Sequence, residues 1–176
     1  MHNFRDEIPL RALLNAAIID RVVETSTFKQ GVGEVLTLAG SPGAEYQFKN
    51  PAFIVGFLYC VIVVPKEIWI SSPEDPVYKR LEAEKVVDLF DIRLKDNAFD
   101  SHPAYFLIHR LRNAIAHANF DVDQSQSFVF RDRREKSGSH FWEAWVSNAN
   151  LFRFLNVLAH AVDEMYPVGK RPAVIH

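Results

Sequence analysis

The segment His109-Arg-Leu-Arg-Asn-Ala-Ile-Ala-His117 holds the residue types best suited to chemistry in this chain. Arg112 offers a permanently charged donor fork that matches phosphate oxygens. His109 and His117 can move a proton near neutral pH. Asn113 can orient a neighbour or a phosphate without titrating. Spaced at about 100° per residue, Leu107, Leu111, Ala114, Ile115 and Ala118 fall together as a core face. Arg112, Ala116, His109, Asn113 and His117 fall in sequence across the opposite side, with Tyr105 and Phe106 about a turn earlier. An ordinary solvated face would carry Glu, Lys and Gln. Aromatics flanking the small Ala116 predict that another helix packs there closely.

Arginine and histidine in this grouping suit cleavage of RNA by attack of its own 2′-hydroxyl. One group takes the hydroxyl proton and another protonates the leaving oxygen. A cation stabilises the phosphorane-like charge. One copy of the set is too small to fill all three roles comfortably. Two copies facing across a dimer interface would fill them.

Further cations are candidates for contact with RNA. His109 lies on the motif face and Arg110 beside it. Arg131, Arg133, Arg134 and Lys136 make a basic strand and turn, tempered by Asp132 and Glu135. They either grip phosphates in a salt-dependent way or protect an exposed hairpin edge with charge. Trp142 and Trp145 point to opposite faces of a strand, so one is core and the other is free to pack or to stack a base.

Other chemistries fail on spacing. Asp121-Val-Asp123 has the D-x-D pattern of nucleotidyltransferases, but its only upstream Gly-Ser, Gly40-Ser41, is far from it. His109 and His117 are two helical turns apart, too far to chelate one ion. The one cysteine, Cys60, sits in an apolar run and reads as a small buried hydrophobe. It permits neither an intrachain disulfide nor a zinc cluster. No P-loop or G-x-G-x-x-G occurs. No metal and no cofactor is expected.

These residues need a scaffold, and the apolar periodicity supplies one. Residues 5–25 read as an amphipathic helix with Leu10, Leu13, Leu14, Ala17, Ile18 and Val22 on its core side. Phe28 to Asn50 carries four glycines and reads as a loop or short helical turns, broken most strongly at Gly40-Ser41-Pro42-Gly43. Asn50-Pro51 opens an apolar helix that should end or bend near Pro65. Its 13 apolar residues between prolines fall short of the ~20 that cross a bilayer. Asp75-Pro76 starts a helix over about 76–95, with Val77, Leu81, Val86, Leu89, Phe90 and Leu94 inside. Ser101 caps the motif helix, which runs to about Ala118 with Asn119 as its left-handed stop. Phe120 to Asp123 is short and alternating. Residues 127–133 and 140–146 alternate around Lys136-Ser137-Gly138-Ser139, a hairpin signature. Ser147 or Asn148 caps the last helix. The fold class is therefore mainly α, a helical bundle with a small antiparallel β-hairpin inserted before the last helix.

The chain has 176 residues, 48% of them hydrophobic and 24% charged, which excludes a disordered chain. The length fits a single domain over 1–176, with an irregular tail from 167. Fourteen Phe against two Met point to an aromatic-rich core or interface. The net charge of −2 argues against a general nucleic-acid coat protein. It leaves room for local cations at one cleft. No export signal is visible, and the unpaired cysteine favours the cytoplasm.

Arg112-Asn-Ala-Ile-Ala-His117 resembles the R-N-x-x-x-H form of the Rx4-6H motif of HEPN domains (higher eukaryote and prokaryote nucleotide-binding). Leu111 to Ala118 is similar to that family's usual wording on a late helix. The resemblance implies a helical bundle and a homodimer that joins two motifs. It also implies metal-independent RNase activity, with roles as a toxin or in defence and a cognate antitoxin as a partner. It implies Arg112 and His117 as the catalytic pair and Asn113 as the polar residue beside them. RNA is the expected substrate, and no membrane is involved. Some members of the family bind without cutting, so a non-catalytic RNA, nucleotide or protein binding module is the alternative. The hairpin at 127–146 departs from the family's pattern.

Overall fold

A computed structural model describes residues 8–44, 51–94, 99–123, 127–133 and 140–167. Helix α1 (Ile8–Val22) turns into α2 (Ser26–Leu38). Helix α3 (Pro51–Leu58), a π-helical turn (Tyr59–Val63) and α4 (Val64–Ile68) follow without a break. Then come α5 (Pro76–Ala83), a 3-10 turn (Val86–Leu89) and strand β1 (Asp91–Leu94). A second 3-10 turn (Phe99–Ser101) precedes α6 (Pro103–Ala116), the motif helix. Strands β2 (Phe120–Val122), β3 (Phe128–Arg133) and β4 (His140–Val146) lead to α7 (Asn148–Met165). The chain is mainly α, with a small antiparallel sheet before the last helix. Among the described residues no helix is long and apolar enough to cross a membrane.

The apolar run forms the helix expected of it, but Pro65 does not end that helix. Proline lacks an N–H and its ring crowds the carbonyl four residues back. A π turn relieves the crowding, with the Val64 N–H reaching back to the Tyr59 carbonyl. The helix therefore runs on to Ile68 and carries Lys66 and Glu67 to the motif. Val61 and Ile62 in the π turn are fully buried, and the turn packs against both α6 and α7.

Four expectations for the N-terminal half need correction. Residues 28–38 of the stretch read as a loop or short helical turns belong to the continuous helix α2. Thr25 caps it, accepting from the Phe28 N–H, and Gln30 bonds Glu34 one turn on, which offsets the poor helix propensity of Gly31 and Gly33. Gly40 (φ 75°) closes α2 at the break the sequence marks. In α1, Leu14 and Ile18 are more than half exposed and Ala17 is exposed rather than core, because Ala12 and Ala16 make its contacts to the core. The side chains of Leu10 and Leu13 lie outside the described set. The helix expected over 76–95 stops at Ala83. Lys85 takes a left-handed φ of 52°, and its N–H caps the Glu82 carbonyl. The chain then leaves the helix to bury Val86 and Phe90 and to pair Asp91–Leu94 with β4. Leu94, expected inside, is 45% exposed on that edge strand.

The expected hairpin is present as β3 and β4, but it forms part of a four-stranded sheet, ordered β1-β4-β3-β2. Its inner face buries Phe128, Phe130, Trp142, Ala144 and Val146. Strand β3 packs on α6. Ser147 caps α7 by accepting from the Asn150 N–H, and Asp75 caps α5 by accepting from the Val77 N–H.

Candidate active site

Helix α6 begins with Pro103 in its first turn, as expected, but its N-cap is His102 and not Ser101, which belongs to the preceding 3-10 turn. Leu107, Ile108, Leu111, Ala114 and Ile115 are buried. The predicted core face is thus correct in that span. Ala118, also expected there, is exposed because the helix has already ended. His117 is the C-cap. Ala118, not Asn119, takes the left-handed conformation, at φ 52°. The Ala118 N–H bonds the Ile115 carbonyl, and the Asn119 N–H bonds the Ala114 carbonyl at 2.7 Å. That pair of bonds is a Schellman cap with alanine where glycine is usual.

Arg112 is held on two edges of its guanidinium. Its Nε donates to Glu67 Oε1 at 2.5 Å and its Nη1 to Asn113 Oδ1 at 2.9 Å. The rest of the fork has no protein partner among the described residues, and the side chain is 30% exposed. Asn113 Nδ2 in turn donates to Asp132 Oδ2 at 2.9 Å, and Arg110 Nη1 reaches the same oxygen at 3.2 Å. Asp132 is 3% exposed. A polar chain therefore runs Glu67–Arg112–Asn113–Asp132–Arg110 and joins α4, α6 and β3. His117 is exposed, and its imidazole has no hydrogen bond among the described residues. Helix geometry sets it about 7–8 Å along the axis from Arg112.

His109 is half-buried and stacks on Tyr105 with ring centroids 6.0 Å apart. Burial lowers its pKa first, with Arg110 and Lys66 adding to the effect. The same surroundings disfavour its charged, phosphate-binding form. Tyr105 also meets Tyr78 edge-on at 5.3 Å and has the Lys66 ammonium 4.1 Å from its ring centroid. Elements α4 and α5 of the same chain thus pack on Tyr105, but Ala116, where close helix packing is expected from the sequence, is exposed. Lys66 is itself buried, with Nζ donating to the Ile70 and Ser71 carbonyls. Desolvation lowers its pKa to about 8, partly opposed by Glu67.

The other predicted phosphate contacts have protein partners or lie outside the described set. Arg110 is paired with Asp132, as above. Arg131 is paired with Glu143 at 2.9 Å and with Asp121. The side chain of Arg133 is not described, and Arg134 and Lys136 lie outside the described residues. Trp142 is buried and Trp145 half-exposed, facing opposite ways as expected. The Trp145 ring has the Arg93 guanidinium 4.0 Å from its centroid, so a stacking cation already sits on it.

A family model described as HEPN pEK499 p136 matches residues 1–167. The chain belongs to this HEPN family. Searches of the curated proteins and of the solved structures return no match. The HEPN domain is a nucleotide-binding or ribonuclease module, and the mainly helical fold agrees with it.

Sequence reasoning missed three residues at the HEPN motif: Lys66, Glu67 and Asp132. Asp132 did leave a signal. It lies in phase with inward-facing Phe128 and Phe130, so strand alternation puts a carboxylate on the buried face. Lys66 and Glu67 left none, because only the uninterrupted passage through Pro65 brings them to α6.

Proposed function

We propose that this HEPN domain is a metal-independent endoribonuclease with a composite active site at a homodimer interface. Arg112 stabilises phosphate charge, His117 moves protons and Asn113 orients Arg112. The supporting observation is the state of Arg112: fixed on two edges, with no further protein partner among the described residues, on the same helix end as an exposed His117. A preorganised donor fork of this kind is worth most where charge develops in the transition state. Two motifs facing one another supply the acid, the base and the cation. The motif's resemblance supports a toxin or defence role in the cytoplasm, with RNA as substrate and a cognate antitoxin as partner.

The purified protein, incubated with mixed RNA in EDTA, cleaves it, and His117→Ala and Arg112→Ala each abolish cleavage while remaining folded dimers. A variant that cuts like the wild type overturns the roles assigned. Loss of cleavage in EDTA overturns the metal-free mechanism.

One observation favours a second reading. Glu67 already neutralises Arg112 at 2.5 Å, as suits a non-catalytic module that binds RNA, nucleotide or protein through the same face. Saturable RNA binding without cleavage supports that reading and refutes the first.

A further inference from the structure

The inserted sheet reaches the motif through one buried carboxylate. We propose that Asp132 is a positioning residue of the cleavage site: from β3 it sets the amide of Asn113 so that Oδ1 faces Arg112. This rests on the ribonuclease reading for its effect on rate, but not for its geometry.

A side-chain amide has an acceptor end and a donor end, and a half-turn exchanges them. Asn113 lies between a guanidinium, which only donates, and a carboxylate, which only accepts. With Oδ1 on Arg112 at 2.9 Å and Nδ2 on Asp132 at 2.9 Å, both ends are matched. The flipped amide would set donor against donor and acceptor against acceptor. Asp132 thus selects one of two orientations, and Arg112 gains a fixed acceptor on the edge opposite Glu67.

The backbone holds Asp132 equally firmly. It follows Phe128 and Phe130 on the inner face and pairs with Trp142, and all three are at most 1% exposed. The register shifts immediately after it, between Asp132 and Arg133. Irregularities of this kind often re-aim a side chain beside an active site. The charge partner of Asp132 is Arg110, whose side chain is only 13% exposed. Arg110 is therefore committed to a buried carboxylate, a task distinct from gripping RNA.

The test has two arms. In the kinetic arm, Asp132→Asn and Asn113→Asp are measured singly and as the exchanged pair Asn113→Asp/Asp132→Asn. Each single variant lowers kcat for RNA cleavage by about 10- to 100-fold, with KM changed less than about threefold, as for other small misplacements of a catalytic group. The exchanged pair recovers at least about tenfold over the worse single variant. In it the amide now on β3 donates to the carboxylate now on α6, and that carboxylate still accepts from Arg112. A single Asp132→Asn variant with wild-type kcat, or an exchanged pair no better than either single, overturns the proposal.

The second arm needs no activity. In nitrogen-15 spectra the Arg112 Nε–H peak, assigned by its loss in Arg112→Lys, shifts or broadens in Asp132→Asn and returns in the exchanged pair. In the wild-type protein the side-chain NH2 of Asn113 exchanges with solvent more slowly than that of the exposed Asn15, which decides the matter even where a variant fails to fold. Equal exchange, or an unmoved Arg112 peak in folded Asp132→Asn, overturns the positioning role. If the wild-type protein does not cleave RNA but this second arm succeeds, the ribonuclease reading has failed and the geometry of Asp132 stands.

Discussion

Replacing Ala118 with glycine stabilises the protein. Ala118 has φ 52° and is exposed, so the change removes backbone strain without opening a cavity. A left-handed conformation costs an L-residue roughly 1–2 kcal/mol. Glycine returns about 0.4–1 kcal/mol of that through its greater freedom in the unfolded chain. The net gain is about 0.8 kcal/mol, which for a chain of this length raises Tm by roughly 2–3 °C. The same substitution two residues earlier, Ala116→Gly, has the opposite sign. Ala116 is the last residue of α6, and glycine in a helix costs about 1 kcal/mol. Ala118→Val lowers Tm further, since a β-branched residue at positive φ is a true outlier. The assay is thermal unfolding of the four proteins side by side, with RNA cleavage measured at one temperature. Ala118→Gly also loosens the chain after His117, so cleavage falls while Tm rises. An Ala118→Gly variant with lowered or unchanged Tm refutes the assignment of strain, and one with raised Tm and raised activity refutes its link to His117.

Other outcomes follow from the same geometry. Lys66 releases its proton near pH 8 in the folded protein and near 10.5 in the unfolded chain, so between about pH 8 and 10 the unfolded state binds more protons and the unfolding free energy rises with pH. Denaturant titrations across that window detect the slope, and Lys66→Met flattens it. Above pH 10 the trend reverses, because burial raises the pKa of Tyr78 and pushes that of Tyr166 up to about 12. Tyr166→Phe removes the hydroxyl that donates to the buried Asp75 and lowers stability by about 1–3 kcal/mol in chemical denaturation. Adding excess His117→Ala protein to the wild type lowers RNA cleavage below that of the wild type alone, because a mixed dimer holds one His117 where acid and base need two. Cleavage unchanged by a variant that exchanges into the dimer rules out a composite site.

Much of the scaffold was legible because its signals are local. Pro51, Asp75-Pro76, Pro103 and Ser147 mark helix starts by cap chemistry. The 3.6-residue spacing of Leu107, Leu111, Ala114 and Ile115 sets the buried face of α6, and with it which motif residues turn outward. The strands at 128–133 and 140–146 follow from alternation. Each of these needs only neighbours a few residues away.

Where sequence and structure differ, the deciding interactions are non-local. The apolar spacing from Val77 to Leu94 satisfies a helix, yet the chain breaks at Lys85 because pairing with β4 and burial of Phe90 outweigh continued helix hydrogen bonds. Alanine at Ala118 resembles any other helix former until the caps on Ala114 and Ile115 place it in a left-handed turn. From residue types alone, this chain carries a helix bearing Arg112, Asn113 and His117 away from its core. The tertiary structure alone decides what surrounds them. Glu67 arrives through a proline absorbed as a π turn, and Asp132 comes from a sheet docked on the helix. Both contacts join residues far apart in the sequence, where no local periodicity can register them.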